Sequence, residues 1–133
     1  MGLLIDTSLF IAIERKAQQP GALLEQFGSE PVAISAITAS ELLHGVHRAE
    51  TASRRERRER FIGTILDSLS ILPFTLETAR VHAAIWADLV KHGVIIGAHD
   101  ILIGATALTH GLTLVTTNRR HFERIDGLKL SVW

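Results

Sequence analysis

The tightest constraint on the fold is a short apolar run that stops abruptly on an acid: Gly2-Leu3-Leu4-Ile5, then Asp6. Apolar residues at consecutive positions leave neither face for solvent, so the run reads as a strand buried on both sides, the habit of parallel sheets. Parallel strands need a crossover, usually a helix, between one and the next. The rest of the chain supplies that alternation. Thr7 and Ser8 offer N-cap hydroxyls before Leu9, Phe10 and Ile13, whose spacing predicts an amphipathic helix that runs out near residues 18–21. Val32 to Ser35, after Pro31, reads as a second strand, and Thr38 to Arg48 has the spacing of a helix opened by Thr38-Ala39-Ser40-Glu41. A long helix over 52–69 begins with the charged run Arg54 to Arg60 and continues with Phe61, Ile62, Ile65, Leu66 and Leu69 at helical spacing.

Ser70 to Phe74 reads as a third strand. Leu76 to His92 is a helix with Ala79, Ala83, Trp86 and Leu89 or Val90 along one face, which puts Trp86 in the core, and Gly93 stops it. Past His99-Asp100, an apolar helix from Ile101 to about His110 carries Gly104, Ala105 and Ala107, small enough for close packing on a sheet. Leu112 to Thr116 is a strand, Thr117-Asn118-Arg119-Arg120 a turn, and Leu128 to Val132 a last strand with Trp133 as terminal anchor. The pattern predicts one α/β domain over residues 1–133, with a mostly parallel sheet of about four to five strands flanked by helices.

Composition narrows the chemistry. With no cysteine, a disulfide scaffold, a thiol nucleophile and a thiolate zinc site are all excluded. Lys plus Arg and Asp plus Glu both total 14, so any nucleic-acid binding must come from local basic groups rather than from net charge. The N-terminal apolar run is too short for a signal peptide, and no stretch approaches the roughly 18 apolar residues of a membrane span, so a cytoplasmic location is expected. The 47% apolar content hints that some apolar surface is left for a partner.

In open α/β sheets, sites form beyond the carboxyl ends of strands. Asp6 and Asn118 lie just past such ends, while Glu41 and Asp100 open helices, so four oxygen-bearing side chains can share one crevice. Oxygen donors of this kind suit a hard cation, Mg²⁺ or Mn²⁺. Such an ion lowers the pKa of a water and neutralises charge developing on a phosphate, the equipment of phosphodiester cleavage. Taken singly, each acid is also explained as a helix cap, and Thr38 to Glu41 matches a capping box. Capping does not explain a strand ending directly on Asp6, nor another ending on Thr116-Thr117-Asn118 with the basic pair Arg119 and Arg120 behind it.

Four segments in order carry a family resemblance: Leu4-Ile5-Asp6-Thr7-Ser8, Ile34 to Val46 around Glu41, Gly97-Ala98-His99-Asp100-Ile101-Leu102-Ile103 with Ala105, and Leu114-Val115-Thr116-Thr117-Asn118 with Phe122 and Ile125. They cover almost the whole chain, which resembles PIN-domain ribonucleases of the VapC type, the toxin half of bacterial toxin–antitoxin pairs. The resemblance implies a PIN-like nuclease domain in which Asp6, Asp100 and Glu41 bind one or two Mg²⁺ or Mn²⁺ ions. It also implies RNA cleavage, a homodimer, and neutralisation by a VapB-type antitoxin through which DNA is reached indirectly. Asn118 stands where many relatives place Asp, and His121 where some place Glu or Asp; both changes remove negative charge. Asn118 is then a neutral fourth member of the catalytic set. Ser8, Thr116, Arg119, Arg120 and His121 are read as the substrate-side residues, with Arg119, Arg120 and His121 toward phosphate and Thr116 orienting Asp6 or a water through its hydroxyl. Two alternatives stay open: a catalytically weak PIN-fold module acting with its antitoxin in DNA-bound regulation, and a phosphatase with Asp6 as nucleophile. A phosphatase of that kind carries another Asp two residues on, where this chain has Ser8.

Overall fold

The computed structural model describes residues 2–133; Met1, counted in the expected domain, lies outside them. Five strands form the sheet: β1 (Leu3–Ile5), β2 (Val32–Ser35), β3 (Ser70–Leu72), β4 (Thr113–Thr116) and β5 (Leu130–Val132). All four pairings are parallel, in the order β3-β2-β1-β4-β5. The chain therefore builds outward from β1 to β3, then returns to the other side of β1 for β4. That reversal makes the β1/β4 boundary a topological switch point, where the crevice of an open parallel sheet lies.

Successive side chains of a strand point to opposite faces, and the strands use both. Ile5, Ile34 and Val115 join the core under α1 (Thr7–Arg15), α2 (Pro20–Glu25), α3 (Ala36–His47) and α4 (Ala52–Ser68). Their neighbours Leu4, Ala33 and Leu114 join the core on the other face, with Ile103 and Ala107 of α6 (Ala98–Thr109) and Phe122 of α7 (Arg119–Phe122). Gly104 of α6 lies so close to α7 and its exit that an added Cβ would stand 2.7 Å from Ile125 Cδ1, which is what the small residues of this helix permit.

Several local expectations are corrected. The segment after α1 does not merely run out but forms α2, started by Pro20, whose fixed φ suits a first helical position. Helix α6 begins at Ala98 rather than Ile101, and Arg119 and Arg120 open the short helix α7 rather than lie in a turn. Trp86, on α5 (Leu76–Lys91), is not core: it is 57% exposed, and Thr78 and Leu89 are the buried residues of that helix. The predicted stripe was one residue out of phase, because α5 lies at the margin of the fold and packs mainly on α6. Trp86→Gln is therefore expected to cost under about 1 kcal/mol in a denaturant melt, against roughly 3–5 kcal/mol for truncating a core Trp. Trp133 does anchor the last strand: its N–H donates to the Thr116 carbonyl (2.9 Å) and its ring packs on Phe27. No helix among the described residues is long and apolar enough to cross a membrane.

Candidate active site

Strand β1 delivers Asp6 at its carboxyl end, in extended backbone just before α1, and buries it to 3% exposure. Asp6 holds the cap position that Thr7 and Ser8 were expected to fill, yet its side chain accepts no cap hydrogen bond from the backbone N–H groups of the helix. A buried carboxylate must find donors elsewhere. Asp6 Oδ2 accepts from the hydroxyls of Ser8 (2.7 Å) and Thr116 (2.8 Å). Thr116 Oγ1 in turn accepts from the Asn118 N–H (2.9 Å), and Ser8 Oγ from the Thr117 N–H (3.1 Å). Two hydroxyls thus lock the end of β4 to the end of β1 around one carboxylate. Thr116 is wholly buried, with its hydroxyl committed to Asp6.

Glu41 reaches the same crevice from the second turn of α3. The cap of that helix is Ser35, whose hydroxyl accepts from the Thr38 N–H (3.0 Å), so Thr38 is inside the helix and the expected capping box does not form. Glu41 is thereby released from the capping role. Its Oε1 accepts from the Thr7 hydroxyl (2.7 Å), and its Oε2 lies 3.5 Å from His99 Nδ1. Asp100, in the first turn of α6, pairs through Oδ2 with His121 Nδ1 at 2.7 Å. Burial raises the Asp100 carboxyl above its ordinary value; the His121 hydrogen bond and charge oppose the rise, and the charges of Asp6 and Glu41 add to it. Since both other acids push on Asp100, the three carboxylates share one electrostatic neighbourhood.

The remaining residues fall on the rim. Asn118 is exposed, holds the cap position of α7 and makes no side-chain cap bond. Arg119 pairs with Glu123 (3.4 Å) on the outer side of α7, and Arg120 is exposed beside it. His121, expected toward phosphate, is turned to Asp100. Two partners of Glu41 are not evident from the sequence: Thr7, a cap candidate that directly follows Asp6, and His99, the neighbour of Asp100. Beside Glu41 opens a cavity of about 310 Å³ lined by Thr7, Phe10, Arg48, Arg58 and Phe61 among others. Of the basic run on α4, Arg58 is held by Glu14 (3.1 Å) and the Gly45 carbonyl (2.9 Å), and so serves to fix the cavity wall.

Among the described residues, no three His, Cys, Asp or Glu side chains already stand at the mutual spacing of metal ligands, since each acid is turned onto a hydroxyl or an imidazole. The donor chemistry nonetheless fits a hard divalent cation: three carboxylates in one field, with Asp100 raised by its burial and further by the charges of Asp6 and Glu41.

An acid at the carboxyl end of β1, met by others from two helices at the switch point of a five-stranded parallel sheet, defines a class, and the family model described as PIN domain matches residues 3–128. The chain belongs to the PIN-domain family, and its relatives are of the VapC type. It is 42% identical over 130 residues to ribonuclease VapC1 of Rickettsia felis, covering 98% of this chain and 95% of that protein. It is 32% identical over 117 residues to the tRNA(fMet)-specific endonuclease VapC of Salmonella typhimurium, covering 86% of each. Among solved structures, VapBC2 of Rickettsia felis bound to a promoter DNA fragment superposes with a TM-score of 0.88 at 27% identity, over 100% of this chain and 99% of that one.

Proposed function

We propose that residues 1–133 form a single nuclease domain that hydrolyses RNA phosphodiesters as the toxin of a toxin–antitoxin pair, dependent on Mg²⁺ or Mn²⁺. The observation that carries the reading is the placement of Asp6, Glu41 and Asp100 in one field, with Asp6 buried and locked across the β1/β4 crevice. Asp6, Asp100 and Glu41 would hold the cation. When bound, it supplies an activated water and neutralises charge on the phosphate. The chain's own residues do the rest. Ser8 and Thr116 fix Asp6, Thr7 fixes Glu41 through a 2.7 Å hydrogen bond, and Asn118 offers a neutral amide at the rim. Arg119 and Arg120 lie on the exposed lip, where guanidinium groups steer and seat phosphates.

RNA is the substrate class supported by relatives named ribonuclease and tRNA(fMet)-specific endonuclease. A VapB-type antitoxin is the partner supported by the VapBC structural neighbour, and contact with DNA follows through that antitoxin. The protein acts in the cytoplasm as a homodimer. The test is cleavage of cellular RNA by the purified chain, with 5′-end mapping of the products. Cleavage is expected to stop with EDTA and return with Mg²⁺ or Mn²⁺. Turnover of a small phosphomonoester without RNA cleavage would overturn the reading, and so would RNA cleavage indifferent to EDTA.

A further inference from the structure

His121 introduces nitrogen into a donor set otherwise made of oxygen. Its backbone is fixed with respect to Asp6: Thr116 Oγ1 binds both Asp6 and the Asn118 N–H that leads into α7, and the adjacent Phe122 is 0% exposed in the core. The imidazole, 54% exposed, is open to ions from solvent while its Nδ1 touches Asp100 Oδ2 at 2.7 Å. At that separation one proton bridges the pair. Two neighbouring ligands of a single ion, each bonded at about 2.1 Å, stand roughly 3 Å apart, so a metal ion can take the place of the proton with only a small movement.

We propose that His121 is itself a ligand of the cation, bonding through Nδ1 beside Asp100. The proposal rests on the metal-dependent reading above and deepens it. Carboxylate and water suit Mg²⁺ and Mn²⁺ alike, whereas imidazole suits transition ions. This site therefore prefers Mn²⁺ to Mg²⁺ more strongly than an all-carboxylate site does. His99 is the internal control: it too faces an acid, but its Nδ1 stands 3.5 Å from Glu41 Oε2.

The experiment is pulsed electron paramagnetic resonance on the full chain with Mn²⁺ alone, with titration of Mn²⁺ and Mg²⁺ by calorimetry. The wild type and His99→Ala are expected to show the hyperfine coupling of a directly bound imidazole nitrogen. His121→Ala is expected to lose it and to bind Mn²⁺ roughly tenfold or more weakly. His121→Glu, which covers the case of an alanine variant that fails to fold, restores affinity without the nitrogen signal and narrows the Mn²⁺ preference. Bound Mn²⁺ with no nitrogen coupling in the wild type overturns the proposal and leaves the metal-dependent reading standing. Coupling that survives His121→Ala, or disappears in His99→Ala, also overturns it. If the wild type binds no Mn²⁺, or Asp6→Asn binds it as tightly as the wild type, the metal-dependent reading itself falls and takes the proposal with it.

Discussion

Asp6→Asn and Asp100→Asn are each expected to cut RNA cleavage by roughly a hundredfold or more while the protein still folds, because each removes a charge meant for the cation, whose stabilisation of transition-state charge is worth several kcal/mol. Their effects on stability should differ in sign. Asp6 is a buried carboxylate that accepts from two hydroxyls. An amide there keeps one acceptor and loses charge assistance, at a cost of about 1–2 kcal/mol. Asp100 is the opposite case. Its folded pKa is raised above the ordinary 3.8, so the stability it contributes is present below that value and is lost as pH rises through the folded pKa. At neutral pH without divalent cation, ionised Asp100 works against the fold, and Asp100→Asn should melt no lower than the wild type. The amide carbonyl can still accept from His121. Lowering the pH below 3.8 should erase any advantage. Thermal melts across pH, beside the cleavage assay, check both halves. Cleavage within a few-fold of wild type, or an Asp100→Asn variant clearly less stable at pH 7, would sink the assignment of these acids.

Much of this architecture was legible in the sequence, for identifiable reasons. The runs Leu3 to Ile5, Val32 to Ser35 and Leu112 to Thr116 are apolar enough to be buried on both faces, and that requirement specifies parallel strands with helical crossovers. Asp6 was legible as a site residue because a strand ends on it. What failed was local hydroxyl chemistry. Ser35, Thr38, Thr7 and Ser8 are all sound N-cap types, and propensity does not say which of them caps and which turns toward a carboxylate. The structure places Ser35 on the cap of α3 and Thr7 on Glu41, a choice set by the meeting of α1 and α3 across the crevice. Trp86 failed for a related reason. Periodicity identifies an apolar stripe, but α5 is covered on one side only, and which side depends on the placement of α6. The two histidine–acid pairs are separated by 21 residues for His121 and Asp100, and by 58 for His99 and Glu41, distances at which sequence spacing carries no contact information.

Thr116→Val is expected to destabilise the protein by about 2–4 kcal/mol and to lower cleavage with it, although the substitution barely changes volume. Thr116 is wholly buried, donates to Asp6 Oδ2 at 2.8 Å and accepts from the Asn118 N–H at 2.9 Å. Valine removes both bonds at once. Losing a donor to a buried charge costs about 1.5–3 kcal/mol, and the freed N–H, at a partly exposed position, adds less because water can reach it. The functional loss follows from geometry: without the hydroxyl, Asp6 is held by Ser8 alone, and the link from β4 into α7 loses the bond that fixes its start. Thr116→Ser separates this account from simple packing. Serine keeps the hydroxyl and gives up a methyl, so it should cost about 1 kcal/mol and retain most cleavage. If the hydroxyl were incidental and the methyl mattered, the order would invert, with valine tolerated and serine damaging. Denaturant melts and cleavage rates on the two variants decide between these orders, and a valine variant within about 0.5 kcal/mol of the wild type would remove Thr116 from the machinery that positions Asp6.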